Sequence, residues 1–213
     1  MSNITLYYAK GTCSFAHHAI INHLNIQDIK LVAVDLRSHT TQSGEDFYKI
    51  NPKGNVPTLV INDDFKLVEG LAVAQYLSDN YNGQHLSGQD DAKYKIQNFL
   101  SFLNSEIHKS GGIFFNSKIN DDFVENVAIP NFKNKLTYLE SQLKEGEFLV
   151  DDQLSLADFT LFALIRMFKA FLKEKLESQG IKFEDYQNLN SHYQKLSELP
   201  SIQQTLKREG LSA

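Results

Sequence analysis

The chain has 213 residues and a mass of 24.3 kDa, with 42% hydrophobic and 22% charged residues, which suits one large or two small globular domains. A net charge of −5 argues against binding nucleic acid or an anionic membrane surface, both of which need a basic face. The longest apolar run, residues 161–165, is far too short to cross a bilayer, and the N-terminus shows no charged leader with an apolar stretch behind it. A single cysteine, Cys13, excludes an intrachain disulfide and fits a reducing cytoplasmic setting.

Residues 4–8 (ITLYY) are β-branched and aromatic and read as a buried strand. From Cys13 onward Phe15, Ala16, Ala19, Ile20 and Leu24 recur at helical spacing, and residues 29–34 (IKLVAV) read as a second strand. That βαβ unit predicts a parallel pair. Residues 35–47 have no period and read as a loop. Residues 56–61 and 65–68 flank Asn62-Asp63-Asp64 as a hairpin. After Glu69 the helical rhythm resumes through Leu71, Ala72, Val73, Tyr76 and Leu77. The order predicts an α/β unit, a small sheet of mixed direction covered by helices.

Residues 80–91 are polar, contain two glycines and lack an apolar period, the signature of a linker. The predicted division is therefore 1–80, a linker over 81–90, and 91–213. Beyond the linker the pattern is all-α. Ile96, Phe99, Leu100, Leu103 and Ile107 mark one amphipathic helix, and residues 124–143 a second with a kink or break at Pro130. Residues 154–168 are apolar nearly all round, which predicts the central buried helix of a bundle. Ser155 and Asp158 form a capping box at its start, with Leu154 and Phe159 placed as a hydrophobic staple. Fainter helical patterns occupy 185–198 and 199–209.

Cys13 reads in two ways, as a small buried hydrophobe or as a nucleophile. Gly11 in the preceding turn and the helix start behind it favour the second, because a helix N-terminus stabilises a thiolate. Ala16 stands where a resolving cysteine would be, so a dithiol cycle is excluded and an external thiol is required. Val56-Pro57 precedes a strand: a cis bond there would expose a backbone edge to an extended peptide, whereas an ordinary trans turn is the commoner case. Glu69-Gly70 opens a helix and either holds a ligand with both an ammonium and a carboxylate or merely complements the helix dipole. His17 and His18 are adjacent and have no partner at i+4, so no metal site is expected. His108 lies between Glu106 and Lys109 in a polar cluster.

In this order the motifs resemble the glutathione S-transferase family over essentially the whole chain. The most specific stretches are 51–60 (NPKGNVPTLV), 69–79 (EGLAVAQYLSD) and 154–162 (LSLADFTLF). Residues 7–18 (YYAKGTCSFAHH) are similar to the bacterial beta class, in which a cysteine takes the place used elsewhere by Tyr or Ser, and 105–112 (SEIHKSGG) to that class's Glu-x-His-Lys segment. The resemblance implies a thioredoxin-like N-terminal domain, a helical-bundle C-terminal domain and a homodimer. It implies conjugation of glutathione, as co-substrate and without a metal, to small hydrophobic electrophiles. Thiol transfer or peroxidase chemistry through Cys13 is a natural companion activity. Cys13, His108 and Tyr8 become the catalytic candidates. Glutathione would be held by Val56 with Pro57 cis, by Glu69 and Gly70 at its γ-glutamyl end, and by His39, Asn55, Glu106 and Lys109. Phe114, Phe115 and Met167 fall to the acceptor side, and Ser155 and Asp158 are structural. Four positions depart from the pattern: Gly70 for a Ser, His39 for a Lys, Asn55 for a Gln, and Ser101 where a cross-dimer Asn is expected. Two other readings stand beside this one, a transferase-like protein that binds without catalysis and a glutathione-dependent isomerase.

Overall fold

The computed structural model describes residues 3–143 and 148–212. Strand β1 (Ile4–Tyr8), helix α1 (Phe15–His23) and strand β2 (Ile29–Asp35) form the expected βαβ unit, with β1 and β2 parallel. Strands β4 (Thr58–Ile61) and β5 (Phe65–Leu67) form the hairpin, and β4 lies antiparallel to β1. A two-residue edge strand, β3 (Thr40–Thr41), pairs with the end of β2 and gives the sheet order β3-β2-β1-β4-β5. It is too short to leave a period in the sequence. Strand alternation decides what each side chain meets. Ile4 and Leu6 join the main core with Phe15 and with Val73 and Leu77 of α2 (Gly70–Asn80). Tyr7 points to the other face, into a smaller cluster around Phe47, 5.7 Å between ring centroids.

The linker stretch contains a helical turn and a buried residue. Residues 84–87 form a helical turn, α3 (Gln84–Ser87), and Leu86 is fully buried. A lone apolar residue among polar neighbours carries no period, which is why the sequence reads as linker.

Helix α4 (Asp90–Phe102) continues through a π-helical turn, Leu103–His108, into α5 (Lys109–Gly112). All five residues of the predicted stripe, Ile96 to Ile107, are buried. A second rod runs from α6 (Asp121–Phe123) through another π turn, Val124–Ala128, to α7 (Ile129–Gln142). Pro130 falls in the first turn of α7, directly behind the wide turn, where its missing N–H is tolerated; the rod continues instead of breaking.

Helix α8 (Leu156–Phe171) is the centre of the bundle, buried from Leu156 to Phe168. Fully burying each large apolar side chain there contributes about 1.5–3 kcal/mol. The capping box is present. Asp158 Oδ2 accepts the Ser155 N–H at 2.8 Å and the Ser155 hydroxyl at 2.6 Å, while Oδ1 accepts the Leu149 N–H at 2.9 Å and His192 Nε2 at 2.8 Å. The chain ends in α9 (Lys173–Ser178), α10 (Gln187–Ser197) and α11 (Pro200–Glu209).

One hydrophobic cluster runs unbroken from the sheet into the helices: Phe15 of α1 meets Phe162 of α8 at 5.8 Å, and Phe162 stacks on Tyr193 at 4.7 Å. Buried polar ties join the same surfaces. His18 pairs with Glu209 at 2.8 Å, the second Glu209 oxygen accepts the Gly11 N–H at 2.8 Å, and Arg166 donates to the Gly11 carbonyl at 3.4 Å. Both backbone groups of Gly11, held at φ +69°, are thus fixed by side chains from the helical part.

Candidate active site

The link from β1 to α1 folds tightly on itself. Ser14 Oγ accepts the Ala9 N–H at 3.0 Å, and the Thr12 hydroxyl donates to the Ala9 carbonyl at 2.9 Å. This turn sets Cys13 against the start of β4, where its thiol donates to the Val56 carbonyl at 3.5 Å. The Val56–Pro57 bond is cis. Among the described residues no backbone carbonyl takes the Val56 N–H. The cis geometry implied by the resemblance is present, with the Val56 carbonyl taken by the Cys13 thiol.

The helix-start thiolate is not. The first N–H groups of α1 are spent locally: Phe15 donates to the Thr12 carbonyl at 3.0 Å and His17 to that of Ser14 at 3.1 Å. Burial pushes the Cys13 thiol up to about 11. The Cys13 and Ser14 amides, the Thr12 hydroxyl and the Lys109 charge all pull the other way and do not offset it. Near neutral pH Cys13 is a protonated thiol, contrary to what a helix N-terminus alone suggests.

A cavity of about 90 Å³ brings together Cys13, Val56, Glu69, Gly70, His108 and Lys109, residues from four distant stretches. Glu69 sits in extended backbone just before α2, exposed, with its carboxylate paired to Lys53. Gly70 is covered by its neighbours. Its carbonyl accepts from His17 Nε2 at 2.8 Å, and a Cβ built there would stand 3.3 Å from His17 Cε1 and 3.4 Å from Asn104 Oδ1. A side chain at position 70 therefore enters only if the His17 ring, held by its bond to the Gly70 carbonyl, gives by a few tenths of an ångström. Burial holds His17 down to about 4, so its ring is neutral and Nε2 carries the hydrogen it donates.

His17 lines this cavity, and the sequence carries a signal for it: it lies four residues after Cys13, in the helical spacing that the sequence shows from Cys13 onward. Asn104 leaves none, because the π turn sets its direction.

A second cavity of about 520 Å³ opens on the other side of Cys13, lined by His39, Asn55, Phe115, Met167 and Phe171 among others. His39 adopts φ +52° and packs its ring on Tyr48 at 4.4 Å. His108 borders both cavities, and burial, with the Lys109 charge added, holds it below its ordinary value and neutral at pH 7.

Three expected residues stay away from the cleft. Tyr8 shares strand parity with Ile4 and Leu6, so it is buried on the helix-facing side with its ring 5.1 Å from His18; burial, and then Glu209, raise its pKa. It lines neither cavity beside Cys13. Glu106 is exposed within the π turn, pairs with Lys135 at 2.7 Å and borders neither cavity. Phe114 is buried against Phe132 at 5.5 Å, leaving Phe115 alone of that pair on the acceptor side. Ser101 is exposed on α4. Among the described residues no group of three or more His, Cys, Asp or Glu is placed to hold a metal, and no helix is long and apolar enough to cross a membrane.

Comparison with known proteins gives a consistent result. Residues 2–79 match the family model for the glutathione S-transferase N-terminal domain, and residues 114–209 that for the C-terminal domain. The glutathione S-transferase GstA of Escherichia coli O157:H7 is 30% identical over 208 residues, covering 97% of this chain and 98% of its own. A sphingomonad glutathione S-transferase solved in complex with glutathione is similar with a TM-score of 0.85 and 28% identity, over 98% of this chain and 100% of that one. A bacterial beta class glutathione S-transferase from Sphingomonas chungbukensis is similar with a TM-score of 0.84 and 29% identity, again over 98% and 100%.

Proposed function

Because the chain belongs to the glutathione S-transferase family, we propose that its cleft conjugates glutathione to small electrophiles. The observation that carries this reading is the cavity where Cys13, the cis Val56–Pro57 edge and the start of α2 converge. Val56 offers an N–H and a carbonyl to the backbone of an extended peptide, the pairing by which a strand is added to a sheet. Glu69 takes the γ-glutamyl ammonium, exchanging Lys53 for it, and the first amides of α2 take the neighbouring carboxylate. His39 and Asn55, on the other side of Val56, face the glycine end.

Cys13 acts here as a neutral thiol that donates a hydrogen bond to the glutathione sulfur, while Lys109 supplies positive charge. Both favour the thiolate of the bound glutathione, which is the nucleophile of conjugation. Phe115, Met167 and Phe171 hold the electrophile on the far side of Cys13.

Thiol transfer and peroxidase chemistry rank behind conjugation, because both need Cys13 itself as a thiolate. A pKa of about 11 leaves that form at a fraction on the order of one in ten thousand at pH 7. We extend the reading to a homodimer working in the cytoplasm; sedimentation measurements test the first of these.

The deciding experiment measures glutathione binding and turnover of a chlorodinitrobenzene by the wild type and by Glu69→Gln. Turnover by the wild type, with a raised KM for glutathione in the variant, supports the proposal. Glutathione retained without turnover of any conjugation electrophile points to the binding-only or isomerase readings.

A further inference from the structure

A third cavity, of about 480 Å³, adjoins the acceptor side and shares Thr12, Leu36, Arg37 and Phe171 with it. It lies over the ends of β1 and β2, where Ala9 and Val34 contribute to its lining, and Lys10 and Arg37 contribute as well. Each of the two cavities is in the size range of small-molecule sites, and with the glycine end of glutathione on the His39–Asn55 side of the second, the space left for the electrophile continues past Phe171 into the third. Phe115 and Phe171, both exposed, stand at the junction with ring centroids 6.5 Å apart, and Phe171 borders both spaces. Two exposed aromatic rings flanking a joined groove favour a flat or aromatic occupant.

The charges of the groove oppose those of the chain. Against a net charge of −5, Lys10 and Arg37 are exposed cations without an ion-pair partner among the described residues. Asp35 is the one carboxylate in the lining of either space. It accepts the Arg37 N–H at 2.8 Å, and that bond holds its carboxyl below the usual range, so it remains charged. The outer end therefore carries two cations and one anion, Asp35, which is engaged by the Arg37 and Ser38 backbone and feels the Arg37 charge as well. Among the described residues the inner end presents the His108 imidazole and no carboxylate, with His39 on the side given to glutathione.

We infer that the third cavity and the Phe115–Phe171 side of the second form one acceptor groove for an elongated electrophile with an anionic group, a carboxylate or sulfonate, at its far end, while the glycine end of glutathione takes the His39–Asn55 side. The reactive carbon lies at the Cys13 end, the apolar body passes Phe115 and Phe171, and the anion faces Lys10 and Arg37. This rests on the transferase reading above and specifies its substrate class. For an aryl halide the balance is simple. The glutathione sulfur forms the new C–S bond, the halide leaves with the electron pair of the C–halogen bond, and the thiol proton passes to solvent. Because both cations are exposed, their attraction is modest and is screened beyond roughly 8 Å at physiological salt.

The test uses one biaryl chlorodinitrophenyl electrophile as its carboxylate and as its methyl ester, with plain chlorodinitrobenzene alongside. In the wild type kcat/KM is higher for the acid than for the ester. In the Lys10→Gln, Arg37→Gln double variant the acid-to-ester ratio falls roughly threefold to tenfold, and in the wild type it shrinks with added salt. A ratio that the double variant leaves unchanged overturns the inference. That includes the case where acid and ester lose rate equally because Arg37 serves glutathione instead. If none of the three compounds turns over, the transferase reading itself has failed. The groove is then judged by binding of anilinonaphthalene sulfonate against its uncharged parent, phenylnaphthylamine. Tighter binding of the sulfonate that the double variant abolishes upholds it, and equal binding of the two dyes overturns it.

Discussion

Alkylation of Cys13 by iodoacetamide, monitored from pH 6 to pH 11, separates a packed thiol from a helix-activated one. Burial raises the thiol from 9.0 to about 11, a cost of about 3 kcal/mol for forming the thiolate. At pH 7 that leaves roughly one thiolate in ten thousand molecules, about a hundredfold fewer than an ordinary cysteine. The more basic thiolate is also the better nucleophile, and a Brønsted slope near 0.4–0.5 returns about eightfold over that interval. The alkylation rate at pH 7 should therefore be about tenfold below that of a cysteine peptide, and it should still climb about tenfold per pH unit past pH 9. Lys109→Met removes a charge that lowers the thiol and should slow the reaction further at every pH below the plateau. A plateau already reached below pH 8, with rates above the peptide, would mean that the α1 start stabilises the anion after all and would refute the burial argument.

Three predictions concern stability. His17 is held neutral with a pKa of about 4 against 6.5 in the unfolded chain, so the unfolded state binds more protons between those values. Stability is then fully present above pH 6.5 and declines as pH falls toward 4, by about 3 kcal/mol from this residue, with His23 and His108 adding in the same direction. Urea titrations of the wild type and His17→Gln across that range should show a shallower slope in the variant; parallel slopes would discount His17. Asp158→Ala leaves the buried donors of Ser155, Leu149 and His192 without their acceptor, and urea unfolding should show a loss of about 3 kcal/mol or more. Gly111→Ala places a Cβ 2.3 Å from the Phe168 ring, where α5 meets α8, and thermal unfolding should register about 1–3 kcal/mol of destabilisation. A neutral result at Gly111 would show that the Phe168 ring moves freely.

Much of the architecture is legible in the sequence because it rests on local physics. The stripe from Ile96 to Ile107, the all-round apolar run of α8 and the Ser155–Asp158 cap each need only neighbouring residues to specify them. Cys13, Val56, Glu69 and Lys109 are legible as a group because their order resembles a known family, although each alone is ambiguous. Tyr8 is misplaced by that resemblance, although its strand parity with Ile4 and Leu6 already points it into the core. Glu106 likewise enters through the resemblance alone, and the structure leaves it exposed and paired with Lys135. The His18–Glu209 tie joins residues 191 positions apart, and Leu86 anchors its segment alone, so neither leaves a periodic signal. The Cys13 thiol is the hardest case. Helix dipole and burial act on it with opposite sign, and only the packed structure gives the size of the second.

Calorimetric titration of glutathione into the wild type and into Glu69→Gln bears most directly on the cleft as the glutathione site. Saturable binding of about one glutathione per chain is expected, weakened about tenfold or more in the variant, because the ammonium loses its charged acceptor. No binding to the wild type, or an affinity that Glu69→Gln leaves unchanged, would contradict the account.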